Sequence, residues 1–397
     1  MPGMLAPVNP MEKQPVRELN LIGHKVAARF GRSGAITILV AVLLSTAACG
    51  SSTPTPSPSP AVSPSATLTP TDSPSPTPTE TATPLPSGLT ALPSGWAYSD
   101  LDGTAATTDA AHRLPMAIMV DDNAAARPQA GFTGASIVWQ APADGGEDRY
   151  MLIFQEEPAT DIGPVRSARP YYIEWAAEWR ASYGHYGGDA TALGTTIPAM
   201  AKYIYNMDAL NGQPCAYHRV DNRAAPHNAF TNTDAQVTCL SKYGYPLTYK
   251  GPAGYTFIDD TPSATRPASE SISIPYHTGP VSYTYDPTSD MYLRLVSGAA
   301  QIDAGSKKQV TARNIVVLFQ PLSYDSKVDP GHNRPVIANV GSGKAVVFKE
   351  GKAIAATWKK TSTSAVTRLY DASGAEIPFV RGQIFMQSVP VGTAVTY

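Results

Sequence analysis

The sequence is short of three things. Cysteine occurs three times in 397 residues, too few for a small disulfide-framed scaffold and never as a CxxC pair, which excludes thiol redox motifs and cysteine-ligated zinc ribbons. Charged residues make up only 16% of the chain, and no apolar run reaches the ~20 residues of a comfortable membrane span. Basic blocks are missing as well. Beyond the first 48 residues, 25 basic side chains stand against 30 acidic ones, and a net-acidic chain argues against nucleic acid as a partner, because general binding depends on neutralising phosphates.

Proline is abundant, with 37 copies, and 11 of them fall in residues 51–86 together with 17 Ser and Thr. Such a segment buries too little surface to fold and favours extended polyproline II; at ~3.1 Å per residue it reaches on the order of 110 Å. Ahead of it, Lys25, Arg29 and Arg32 precede the apolar run Ala35–Leu44, and small residues follow to Cys49. This is the layout of an export signal. Thr46-Ala47-Ala48-Cys49 resembles a bacterial lipobox, with Thr46 where Leu is usual, and the resemblance predicts lipidation at Cys49. The alternative is a secretory signal, or a retained anchor helix, with an incidental cysteine. With Cys49 acylated, Cys215 and Cys239 remain as a pair for one disulfide in an oxidising compartment; two buried thiols are the other reading. The expected layout is a signal over 1–48, a lipidated cysteine and linker over 49–95, and a folded part from 96.

In that folded part, Pro115–Val120, Ser136–Gln140 and Arg149–Gln155 read as buried strands. Pro170 opens a helix through YYIEWAAEWRAS whose Tyr172, Trp175 and Trp179 form an aromatic stripe facing a core. A second helix is expected over Ile197–Met207. Beyond residue 250 the pattern is of strands: Val281–Tyr285 and Met291–Val296 flank a loop, Asn314–Gln320 follows, and Lys344–Lys349 pairs with Ala353–Lys359. The expected class is α+β, with a mixed α/β N-terminal domain over 96–260 and a smaller β-rich C-terminal domain over 261–397.

Five strings stand out in order: VDDNAAARPQAGF (120–132), DGGEDRYMLIFQ (144–155), GPVRSARPYYIEWA (163–176), YGHYGG (183–188) and APHNAF (225–230). Together with SYTYD, MYLRLVSG and IVVLFQ further on, they resemble the YerB-like lipoprotein family of bacteria, whose halves are known as N- and C-terminal domains of unknown function. The resemblance spans about residues 110–390 and implies a lipid-anchored extracytoplasmic protein. It brings no reaction with it. The sequence departs from the family's pattern at Gln140 and Asp144, where glutamates are expected, at Asp122, which replaces another, and at Asp189, where Ser is common.

Candidate site residues come from these strings. Arg166 and Arg169, at the start of the Pro170 helix, suit an anion beside the helix N-terminus, with Arg127 and Asn228 as further ligand contacts. The plainer reading ties both arginines to loop carbonyls and nearby acids such as Asp161. His185 and His227 could serve as acid and base, with Asp189 orienting one of them; as structural histidines they would only bond backbone. No HExxH or other metal-ligand spacing is present, and Gly341-Ser342-Gly343-Lys344 lacks the rest of a phosphate loop, so neither metal nor cofactor is expected. The functional expectations are a lipid-anchored protein binding an anionic cell-wall component or an envelope protein, a hydrolase or transferase acting on an envelope polymer, or a scaffold without a ligand.

Overall fold

In the chain's order, the apolar runs become β1 (Met116–Asp121), β2 (Ile137–Pro142) and β3 (Asp148–Phe154), and every residue of the three is buried. Strands covered on both faces show no polar alternation, which is why these runs are continuous in the sequence. The computed structural model describes residues 91–268, 270–326 and 331–397; the expected export signal, Cys49 and the proline-rich segment lie outside them. Helix α1 (Pro170–Ala177) starts on its proline, where the missing N–H costs nothing. Strands β4 (Ser182–His185) and β5 (Tyr205–Asp208) and helix α2 (Thr233–Lys242) follow. The second half contributes β6 (Ser271–Ile274), β7 (Val281–Asp286), β8 (Met291–Val296), β9 (Asn314–Gln320), β10 (Gly341–Lys349), β11 (Lys352–Lys360), β12 (Arg368–Tyr370) and β13 (Ile384–Pro390).

Ten strands form one sheet in the order β12-β11-β10-β9-β13-β2-β3-β1-β4-β5. Its centre joins the two halves of the chain: β13 runs parallel to both β9 and β2, with Phe385 opposite Ile315 on one side and Val138 on the other. The sheet therefore continues across residue 260, and the described residues form one compact unit. Side chains alternate between two cores. Met119, Trp139 and Met151 meet Tyr172, Trp175 and Trp179 on one face, whereas Ile118, Val138 and Leu152 meet Tyr283 and Tyr292 on the other. Trp139 stacks on Trp175 with ring centroids 4.1 Å apart. Fully burying each large apolar side chain contributes ~2–3 kcal/mol. A second, five-stranded sheet covers the second face, built from β6, β7 and β8 with the short strands Ala299–Ala300 and Thr311–Ala312.

The α+β class expected from the sequence is the one observed, and the aromatic stripe of α1 is core. The helix expected over Ile197–Met207 is shorter: it covers Ile197–Met200, and Tyr205–Asp208 pairs instead with β4. Ile204 and Tyr205 are a β-branched and an aromatic residue, which fit a pleated edge better than another helical turn.

Candidate functional site

Three of the strings singled out in the sequence lie side by side at the carboxyl end of β1. Val120 bridges Val165, Ala130 bridges Gly163, and Ile162 bridges Thr231, so GPVRSARP runs between the end of β1 and the APHNAF segment. Only glycine fits at 163, because a Cβ there would stand 2.8 Å from the Phe230 ring. Each string also holds a cis prolyl bond: Arg127–Pro128, Gly163–Pro164 and Ala225–Pro226.

The convergence surrounds Asp121, the last residue of β1, which has no exposed surface. Its backbone is fixed by the Pro164 carbonyl, which accepts from its N–H at 3.0 Å, and by Gln129 Nε2, which donates to its carbonyl at 3.0 Å. Carboxylate oxygen Oδ1 accepts from the Asn123 N–H at 3.2 Å. Oδ2 receives His227 Nδ1 at 2.7 Å and lies 3.0 Å from Arg166 Nε. The arginine contact is one of charge, since its Nε–H is not aimed at the oxygen. Because the carboxylate accepts, the proton of a neutral His227 sits on Nδ1 and the lone pair on Nε2. The two side chains keep 17% and 23% of their surface exposed. Among the described residues, neither His227 Nε2 nor the terminal nitrogens of Arg166 have a hydrogen-bond partner, and none of these atoms is sealed from solvent.

The other candidates lie elsewhere. Arg169 is buried and paired with Asp144, which also holds Arg334, and its Nη1 is 3.6 Å from Asp189. It therefore does not share an anion with Arg166, and the acids that hold the two arginines are Asp144 and Asp121 rather than Asp161. Asp189 caps a turn by accepting from the Ala192 N–H at 2.8 Å and, with Arg169, Tyr171 and Glu174, lines a pocket of about 270 Å³. His185 is fully buried, its Nδ1 2.8 Å from the Gly187 carbonyl and its Nε2 2.8 Å from Asn206 Oδ1. Both ring nitrogens are thus engaged, and the acid beside His227 is Asp121 rather than Asp189. Asn228 accepts from Arg219, and His218 pairs with Phe230 in a two-stranded ribbon. Cys215 and Cys239 form a disulfide with Cα atoms 5.7 Å apart.

Arg127 belongs to a second network beneath the first. It donates to Asp122 at 2.9 Å and to the Thr278 carbonyl at 3.0 Å. Asp122 also accepts from Gln140 at 3.0 Å, and the same Gln140 receives the fully buried Arg294 at 2.7 Å. The Thr278 hydroxyl lies 3.1 Å from Asp122 and 2.6 Å from Asp148. Burial pushes Asp148 up to about 6, and the neighbouring Asp122 charge adds to the rise. This network fixes the loop between β6 and β7 onto the large sheet.

Among the described residues no group of three or more His, Cys, Asp or Glu side chains could hold a metal, and no helix is long and apolar enough to cross a membrane. Residues 101–245 match the N-terminal domain of the protein of unknown function DUF3048, and residues 272–386 match its C-terminal domain. The chain is 29% identical over 285 residues to the "Putative lipoprotein YerB" of Bacillus subtilis (strain 168), covering 70% of this chain and 82% of that protein. A crystal structure of the YerB protein from Bacillus subtilis superposes with a TM-score of 0.66 at 24% identity, covering 76% of this chain and all of that one, which shows a shared fold. With both domains matched in order around one shared sheet, the chain belongs to the DUF3048 family of YerB-like proteins.

Proposed function

We propose that the protein is a lipoprotein anchored through Cys49 on the extracytoplasmic face of the membrane, and that it binds an anionic cell-envelope ligand through Arg166 and His227. The anchor is supported by the signal-like N-terminus ending at Cys49 and by a relative whose name describes a lipoprotein. The binding reading rests on one observation: two partly exposed basic side chains from separate strings share a single buried carboxylate. That carboxylate orients both while leaving the guanidinium fork free, and such a fork suits bidentate contact with phosphate or carboxylate.

Thermal-shift measurements with wall fragments and phosphorylated sugars test the binding. An anionic ligand should raise the melting temperature of the wild type and not of Arg166→Ala; no shift with any of them would favour a scaffold without a ligand. Cys49→Ala should release the protein from the membrane fraction, and its retention there would favour an anchor helix.

A further inference from the structure

We propose that the Asp121, His227 and Arg166 cluster is a phosphodiester-hydrolysing centre, with His227 as general base and Arg166 as the anion clamp. This rests on the anion-binding reading above and adds both a ligand class and a reaction.

The charges favour a diester. Of the three side chains, the Arg166 guanidinium is the one fixed positive charge, and it faces the carboxylate of Asp121. A diester monoanion has two non-bridging oxygens for the two free nitrogens of Arg166 and adds only one charge. A monoester dianion would bring a second charge toward a carboxylate that has no exposed surface and cannot turn away.

The orientation favours a base. His227 Nδ1 is fixed on Asp121 at 2.7 Å, so the accepting Nε2 faces away from the carboxylate, and the oxygen that holds it also lies 3.0 Å from Arg166 Nε. A histidine held in one tautomer by a buried carboxylate is an arrangement suited to proton transfer. In the step it supports, Nε2 takes a proton from water and the water oxygen attacks phosphorus. The P–O bond to one alcohol breaks with its electron pair leaving on that oxygen, and the protonated His227 returns the proton to it. The products are a phosphomonoester and an alcohol, with the enzyme unchanged. Asp121 touches no reacting atom: it is a positioning residue that offsets the charge His227 gains.

The test uses the full-length protein in detergent, with dimethyl phosphate as the binding probe, followed by phosphorus NMR, and bis(4-nitrophenyl) phosphate as the turnover probe. The wild type should bind the first and cleave the second. His227→Gln should retain binding and lose turnover by ~10²-fold or more. Arg166→Lys should weaken binding by ~10-fold through loss of the fork. Asp121→Asn should lower kcat with little change in KM, the signature of a group acting on the transition state alone. If Asp121→Asn does not fold, the variants at the two partly exposed positions still decide the matter. Arg166-dependent binding without turnover, or turnover that survives His227→Gln, overturns the hydrolytic centre and leaves the anion site standing. Absence of both binding and turnover overturns the two together.

Discussion

Asp121 and Asp122 are neighbours in the sequence and opposites in the structure. Asp121 turns toward His227 and Arg166, whereas Asp122 turns into the network with Arg127, Gln140 and Thr278. In that second network the single proton of the Thr278 hydroxyl faces two carboxylates, and burial favours the protonated form of Asp122 as well as that of Asp148. The folded pKa of Asp148, about 6, exceeds the ordinary 3.8, which means that the folded state binds more protons between these values. The stabilisation is fully present below pH ~4 and is lost as pH rises through about 6, amounting to about 3 kcal/mol. Urea titrations from pH 4 to 8 should show that decline in the wild type, and a flatter profile in Asp148→Asn. Of the site residues, Arg166 and His227 were legible in the sequence because each stands in a string too unusual to be filler. Asp121 was not, since a buried acid closing an apolar strand has the same sequence signature as a solvated one beginning a loop, and only the arrival of two distant segments tells them apart. His185 was misleading for the converse reason, as its glycine-flanked loop suggests access that the packing denies.

At the scale of elements, strands were more legible than helices. The hairpin β7–β8 and the tight connection from β10 to β11 follow directly from turn residues: Glu350 and Gly351 both take positive φ, at 51° and 67°, and β10 and β11 pair in register from Lys349–Lys352 outward. Two such central residues suit the right-handed twist of the strands. Gly351→Ala is expected to cost ~2 kcal/mol, partly from the left-handed backbone and partly because the new methyl would stand 2.5 Å from the Tyr285 ring; the urea midpoint checks this. Helices were harder because tertiary packing cuts them short. Helix α1 ends at Ala177, and just beyond it Glu178 is drawn into a fully buried pair with Lys360 of β11 at 2.6 Å, with the Thr367 hydroxyl at 2.7 Å. Nothing within the helical pattern announces that partner, 182 residues away. Lys360→Met leaves a buried carboxylate without its counter-charge and should destabilise by ~3–5 kcal/mol, measurable as a fall in melting temperature.

At the scale of the whole molecule, the class was legible but the sharing of one sheet was not, because periodicity describes a strand's faces and says nothing about which strand lies beside it. Residues 96–260 read as a unit because strand and helix patterns mix there and strands alone follow, yet β2 has its far edge covered by β13, which begins at Ile384. A fragment ending at residue 260 would present β2 as a long apolar edge, and is expected to aggregate rather than fold; the 91–397 chain at the same concentration is the control in a sedimentation measurement. Reducing the Cys215–Cys239 bridge, which closes a 24-residue separation, should cost ~3 kcal/mol in the chain-entropy account, read as a lower melting temperature in dithiothreitol.

The position of β13 also sets a clock. Among the described residues, the strand completing the middle of the sheet comes last in sequence, at Ile384–Pro390, while its neighbour β2 begins at Ile137. A chain made from its N-terminus cannot close the centre of this sheet until β13 has been made, so the first half must wait with an unsatisfied edge. Long-range closure of this kind folds slowly, and for this molecule the interval between the appearance of β2 and the arrival of β13, more than the finished fold, is where assistance from chaperones would matter.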